Sequence, residues 1–260
     1  MSGVARHTRS YFICATPRTG SSLLCGLLAA AGTAGRPESY FRKPDRRSWA
    51  TSWGVVGSDG SIDDVDFLVA ALNAGTGENG VFAARIMWGT MHELVDVLRS
   101  AHDDTASPAM ALLTRTFKSV QFVHLRRGDI VAQAVSRVRA EQSNVWFHEE
   151  GRPLPAPERQ PRFDFGEIDA AVRAIHNDED AWHAWFSRAG VRPHRVQYEE
   201  LEADPVGTTL GVLRYLALEP VPGALIAPRH RRLRDALNAQ WADRYLAELP
   251  DSERPRHHRR

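Results

Sequence analysis

The segment Thr16-Pro17-Arg18-Thr19-Gly20-Ser21-Ser22 is where residue types and spacing first suggest chemistry. It follows the apolar run Tyr11 to Ala15 and precedes Leu23-Leu24-Cys25-Gly26-Leu27-Leu28, whose periodicity is helical. A helix N-terminus presents unpaired N–H groups and a partial positive charge, so a loop entering one is suited to an anion. Arg18 and the hydroxyls of Thr19, Ser21 and Ser22 add donors there, with Pro17 and Gly20 in the same loop. The order is not a Walker A motif, which needs Gly-Lys-Ser/Thr after four free residues. No such Lys is present and no Walker B pattern follows, which disfavours ordinary ATP or GTP hydrolysis and a kinase. Generic phosphate binding is the expectation.

A second segment repeats the logic. Gln121 to Leu125 reads as a buried strand, and it ends at Arg126-Arg127-Gly128. Asp129 can then cap a helix running to about Gln142 that carries Ser136 about two turns in. Arg127 can set a bidentate fork on a phosphate and Ser136 can donate a hydroxyl, with Arg126 a close rival to Arg127. One strand end for each phosphate implies a ligand with two separated phosphates.

These loops need a scaffold of strands and helices. Strand, Gly-containing loop and helix form the opening unit of a parallel α/β fold. Hydroxyl residues at the start of the first helix suit an N-cap. Gly80 to Met87 reads as a further strand, and Arg195 to Tyr198 as another. Helices are expected over residues 63–74, 91–100, 107–117, 165–189 and 204–216, with Ser107 as N-cap and Pro108 at the first helical position of the third. Ile168, Val172, Ile175, Trp182 and Phe186 share one face of the long helix. Residues 43–61 are mostly polar and read as loop, as does the Pro-rich stretch 151–162. A basic helix ends the chain, with residues 251–260 expected to be a disordered tail.

Length and charge set bounds. The 260 residues suit a single α/β domain over the whole chain and suffice to bury a full core. A net charge of +1 argues against a general nucleic-acid coat. All but Lys43 and Lys118 of the 33 basic residues are arginines, whose planar fork suits phosphate and carboxylate. Cys14 and Cys25 lie in apolar surroundings and cannot build a disulfide framework or a zinc site by themselves. No stretch reaches the roughly 18 apolar residues that span a bilayer, and the N-terminal apolar run is short for a signal sequence. A cytoplasmic location without a membrane span is the expectation.

The segment TPRTGSSLL after an apolar strand resembles the 5′-phosphosulfate loop of sulfotransferases, and HLRRGDIVAQAVSRVRAEQ resembles their 3′-phosphate segment. The chain is most similar to the trehalose 2-sulfotransferase family. Gly35 to Phe41, Met87-Trp88, Gln133 to Ser136 and Arg139-Ala140 support this, as do Trp182 to Phe186, Tyr198 to Leu201 and Trp241 to Tyr245. The resemblance implies a P-loop-like, three-layer α/β/α fold with a central, mainly parallel sheet. It implies sulfuryl transfer from 3′-phosphoadenosine-5′-phosphosulfate (PAPS) to a hydroxyl of a sugar or glycolipid, in line and without a metal. Pro17, Arg18, Thr19, Gly20, Ser21 and Ser22 would hold the 5′-phosphosulfate, and Arg127 with Ser136 the 3′-phosphate. Glu38 is the expected general base, because it follows the first helix and can lie beside the donor loop. The family's base directly precedes an aromatic pair, a position that is Ser39 here. His124 is the alternative base. Tyr40, Phe41, Trp53, Trp88 and Trp146 are expected to stack on sugar rings, and the Pro-rich loop to cover the acceptor. By analogy a homodimer is expected. The alternative class is a non-catalytic nucleotide- or nucleic-acid-binding module, resting on Arg229 to Arg260, where nine Arg face five Asp and Glu.

Overall fold

The computed structural model describes residues 7–146, 148–149, 158–227, 230–231 and 236–250. In chain order the first half contains β1 (Arg9–Ala15), α1 (Ser21–Ala30), a 3-10 turn (Lys43–Asp45), α2 (Arg46–Trp53), α3 (Asp64–Gly75), β2 (Val81–Met87), α4 (Trp88–His102) and α5 (Ala109–Phe117). The second half contains β3 (Ser119–Arg126), α6 (Ile130–Ser143), β4 (His148–Glu149), α7 (Phe165–Arg188), β5 (His194–Gln197), α8 (Tyr198–Ala203), α9 (Pro205–Tyr215), β6 (His230–Arg231) and α10 (Ala236–Glu248).

The main sheet has the order β2-β1-β3-β5, and each pairing is parallel. Parallel strands are joined by helical crossovers that cover both faces, so their central stretches are mostly apolar. β1 accordingly buries Tyr11 to Ala15. Alternate side chains of the strands feed two cores. On one face Phe12, Phe82 and Phe122 pack with α3, α4, α5 and α7. On the other, Ile13, Val123 and Val196 pack with α1 and α9. The result is the expected α/β/α sandwich. A third cluster joins α6, α7 and α10 through Val138, Ile175 and Trp241.

Four readings of the sequence shift. Residues 43–61 contain the 3-10 turn and α2 instead of loop alone, because Trp49 and Trp53 stack one turn apart at 5.3 Å and dock on Tyr40. Ser107 does not cap α5: Pro108 holds that position, while the Ser107 backbone N–H and hydroxyl donate to Asp104 at 3.0 and 2.8 Å. The strand expected to end at Tyr198 ends at Gln197, and Tyr198 opens α8. Tyr40 and Phe41, expected against sugar, are 2% and 3% exposed and belong to the core. Residues 151–157 of the Pro-rich loop, the tail 251–260 and much of the basic stretch from Arg229 lie outside the described residues. Among the described residues no helix is long and apolar enough to cross a membrane.

Gly35 shows how tightly the segment after α1 is set. Its φ is +65°, and a Cβ there would lie 2.6 Å from the Val81 carbonyl oxygen and 2.8 Å from that of Gly75. Both obstacles are backbone, so neither yields. Gly35→Ala is expected to cost about 2–4 kcal/mol and to lower Tm by roughly 5–10 °C. A thermal melt within 2 °C of the parent would contradict this packing.

Candidate active site

The chain leaves β1 at Ala15 in the middle of the sheet and turns through Thr16 to Gly20 into α1. Arg18 (φ 69°) and Gly20 (φ 81°) both adopt the left-handed conformation. A Cβ on Gly20 would lie 2.7 Å from the Tyr198 ring, so glycine lets that ring close over the loop. Gly20 caps α1, and no side chain caps it. The N–H groups of the first turn are thus left for a ligand. The hydroxyls are employed differently from the sequence reading. Thr19 is fully buried and donates to the Thr16 carbonyl at 2.9 Å, which braces the turn. Ser21 is 4% exposed, and the Ser22 hydroxyl accepts from Arg85 at 2.6 Å. Thr19, Gly20, Ser21 and Ser22 therefore offer the loop's backbone more than its side chains, and Pro17 anchors it through its carbonyl.

The second loop comes to the same place. Arg18 Nε donates to Ser136 Oγ of α6 at 3.0 Å, and its Nη1 to the Trp146 carbonyl. Arg127 Nη1 donates to the Arg18 carbonyl at 3.4 Å, while the guanidinium lies over the Tyr198 ring, 4.5 Å from its centre. Arg127 Nε is buried without a hydrogen-bond partner. Neither Arg18 nor Arg127 has a carboxylate partner among the described residues. Burial first, and then the charge of Arg127, hold the Arg18 pKa below its ordinary value, while Tyr198 works the other way. Two guanidinium groups that repel each other beside an uncapped helix N-terminus make a preformed anion site. Arg126, the rival, points elsewhere: its Nε donates to Glu179 at 2.7 Å.

Beneath the loop lies a buried polar hub. Gln133, 1% exposed, donates to Thr16 Oγ1 at 2.8 Å and to the Pro17 carbonyl at 2.7 Å. Thr16 Oγ1 donates in turn to Glu179 Oε1 at 3.3 Å. Burial works against the Glu179 charge, but His124 and Arg126 hold its carboxyl below the ordinary range. Trp182 Nε1, less than one turn further along α7, donates to the Ala15 carbonyl at 3.2 Å. The donor loop is thus positioned from α6 and α7 by groups that need not touch a ligand.

A second group of residues lies where β2 flanks β1. The backbone at Glu38 bridges Ala84, and its carbonyl accepts from Arg85 N at 2.9 Å. The Glu38 side chain is exposed, and its charge helps to raise the pKa of Cys25 in α1 and of Tyr40. Ser39 Oγ accepts from Arg85 Nε at 2.8 Å. Arg85 therefore ties Ser39 to Ser22 at the head of α1, with no carboxylate partner among the described residues. Trp88 stands nearby, edge-on to Trp182 at 5.1 Å. Trp146 is 38% exposed, whereas Trp53 is committed to Trp49 and Tyr40. His124 is fully buried and faces Glu179 and the rings of α7, so it does not open toward the donor loop as the alternative base would need.

Arg85 and Glu179 are the positions around these loops that sequence reading missed. Glu179 had a visible signal, since a carboxylate stands at helical spacing within the apolar stripe Ile175, Trp182 and Phe186. Arg85 had none until the sheet order placed β2 beside β1.

The family model described as Stf0 sulphotransferase matches residues 10–248. The chain is 29% identical over 268 residues to trehalose 2-sulfotransferase of Mycobacterium tuberculosis, covering 95% of this chain and 98% of that protein. It is 28% identical over 260 residues to trehalose 2-sulfotransferase of Mycolicibacterium smegmatis, covering 92% and 95%. Among solved structures, the sulfotransferase domain from the curacin biosynthetic pathway is 13% identical, with a TM-score of 0.46, covering 94% of this chain and 100% of that one.

Proposed function

Because the chain belongs to the Stf0 sulphotransferase family, we propose that it moves a sulfuryl group from PAPS to a hydroxyl of a carbohydrate or glycolipid acceptor. The observation that carries this is the convergence of Arg18 and Arg127, both without acid partners, at the uncapped start of α1. Two such cations cost stability unless an anion joins them, so the residues present fit a doubly phosphorylated donor. When bound, PAPS supplies the sulfuryl group and departs as adenosine 3′,5′-bisphosphate.

The chain's own residues divide the work. The backbone N–H groups of Thr19, Gly20, Ser21 and Ser22, with Arg18, hold the 5′-phosphosulfate and stabilise charge on its oxygens, as preorganised donors do. Arg127 and Ser136 hold the 3′-phosphate. Tyr198 keeps Arg127 in place from behind. Glu38, exposed on the acceptor side, takes the proton of the acceptor hydroxyl. Arg85, held by Ser22 and Ser39, adds a positive charge between donor loop and acceptor. Trp88 and Trp146 remain available to sugar rings. We further propose a cytoplasmic homodimer, which the molecular mass in solution tests.

The direct test is incubation with PAPS and a panel of sugars that includes trehalose. Release of adenosine 3′,5′-bisphosphate with sulfated sugar supports the reading. No release, together with no PAPS-dependent rise in Tm, overturns it. Arg85→Ala is expected to lower kcat by about 10²-fold, since a charged donor aimed at a transferring group contributes on that scale, with Arg85→Lys recovering part. Equal rates in the parent and Arg85→Ala would remove Arg85 from the transfer site.

A further inference from the structure

A cavity with a volume of about 540 Å³ lies between α7 and the edge strand β5. That is within the range of small-molecule sites. Its lining includes His124 of β3 and His183 and Phe186 of α7. Arg195 of β5, Arg192 and Arg126 line it as well. His124 is fully buried; its Nε2 pairs with Glu179 Oε2 at 3.4 Å, while its Nδ1 has no hydrogen-bond partner. His183 Nε2 is likewise buried and unpartnered. Buried polar atoms without partners are uncommon in folded proteins and costly.

The sign of the field decides what could satisfy them. His124, Glu179 and His183 bring their ligand atoms within 4.8 Å of one another, a spacing a metal ion could use. Yet both Glu179 oxygens are engaged, one with Thr16 and the other with Arg126. Arg192 and Arg195 have no carboxylate partner among the described residues. Burial, Arg126 and His124 lower the His183 pKa, Arg195 adds to this, and only Glu179 opposes them. A divalent cation would enter a region already carrying surplus positive charge; an anion would relieve it.

We propose that this cavity is a second anion site, which takes a small molecule with a sulfate, phosphate or carboxylate head and an apolar body. The head meets Arg195, Arg126 and His183, and the body lies on Phe186, Val191 and Pro193. Since Arg126 also holds Glu179, and Glu179 braces Thr16, an occupant would adjoin the support of the donor loop without entering it.

Calorimetric titration of the full chain with 4-nitrophenyl sulfate, and separately with inorganic sulfate, tests this while adenosine 3′,5′-bisphosphate saturates the donor loop. The expected result is saturable binding of 4-nitrophenyl sulfate, tighter than inorganic sulfate. Arg195→Ala should weaken it by about tenfold or more, the scale of one charged hydrogen bond. Arg195 is exposed on an edge strand, so Arg195→Ala should fold and retain the parent's bisphosphate affinity, which separates failure here from failure of the donor site. Three results overturn the proposal: no saturable binding, binding unchanged by both Arg195→Ala and His183→Ala, or a rise in Tm with zinc ion but none with 4-nitrophenyl sulfate.

Discussion

Arg127→Ala is expected to weaken adenosine 3′,5′-bisphosphate binding by roughly ten- to hundredfold, the loss of about 1.5–3 kcal/mol in charged hydrogen bonds, without lowering Tm. The two halves have one cause. Arg127 and Arg18 oppose each other's charge in the free protein, and among the described residues no carboxylate offsets them. Removing Arg127 relieves that repulsion and also frees its buried Nε of an unmet hydrogen bond. What is lost is the contact with Tyr198, worth about 0.5–1 kcal/mol at a partly exposed site, and the long 3.4 Å bond to the Arg18 carbonyl. The terms nearly cancel in stability but not in binding. Arg126→Ala should behave oppositely, because it removes a partner of buried Glu179: Tm falls while bisphosphate affinity changes less. Titration calorimetry and thermal melts on both variants check the pair. A large Tm loss in Arg127→Ala with unchanged binding would make Arg127 a structural residue.

Glu38→Gln is expected to lower kcat by about 10²–10⁴, the range for a positioned general base, with donor affinity within a factor of two. The amide keeps the shape and cannot take a proton. Because Glu38 is exposed and its backbone is fixed by the bridge to Ala84, the variant should fold as the parent does. The neighbouring Ser39 fills a different role: its hydroxyl accepts from Arg85 and helps to aim that guanidinium. Ser39→Ala should therefore cost only about tenfold, through Arg85. Steady-state rates with a sulfatable sugar distinguish the two. Equal losses in both variants, or none in Glu38→Gln, would move the base elsewhere.

The strands that carry the two loops could be read from the sequence because parallel strands buried on both faces are largely apolar, as Tyr11 to Ala15 is and as Phe122, Val123 and Leu125 make β3. The anion loops followed, since a short loop between strand and helix has one place to go. Helix α2 was hidden because its apolar contribution rests on Trp49 and Trp53 within a polar stretch. Tyr40 and Phe41 misled in the opposite sense: aromatics beside a motif suggest contacts, but they fill the core against Trp49 and Phe67. The choice between Arg126 and Arg127 could not be made from two adjacent arginines. Strand alternation turns Arg126 with His124 toward α7 and leaves Arg127 beside the loop, which supports the proposal of Arg127. Arg85 depended on sheet order, which local sequence does not encode.

The order β2-β1-β3-β5 also constrains how the molecule is made. β1 emerges first from the ribosome, yet its partners lie at residues 81–87 and 119–126, and β3 waits for residues 194–197. Each pairing closes a long stretch of chain, a topology that folds slowly. Until α7 and α8 have been synthesised, Glu179 cannot brace Thr16 and Tyr198 cannot cover Gly20. A nascent chain halted before residue 179 would therefore display an apolar strand with an unbraced loop, the kind of intermediate that chaperones retain. Ligand competence should appear late and all at once, with the closing of the last crossover.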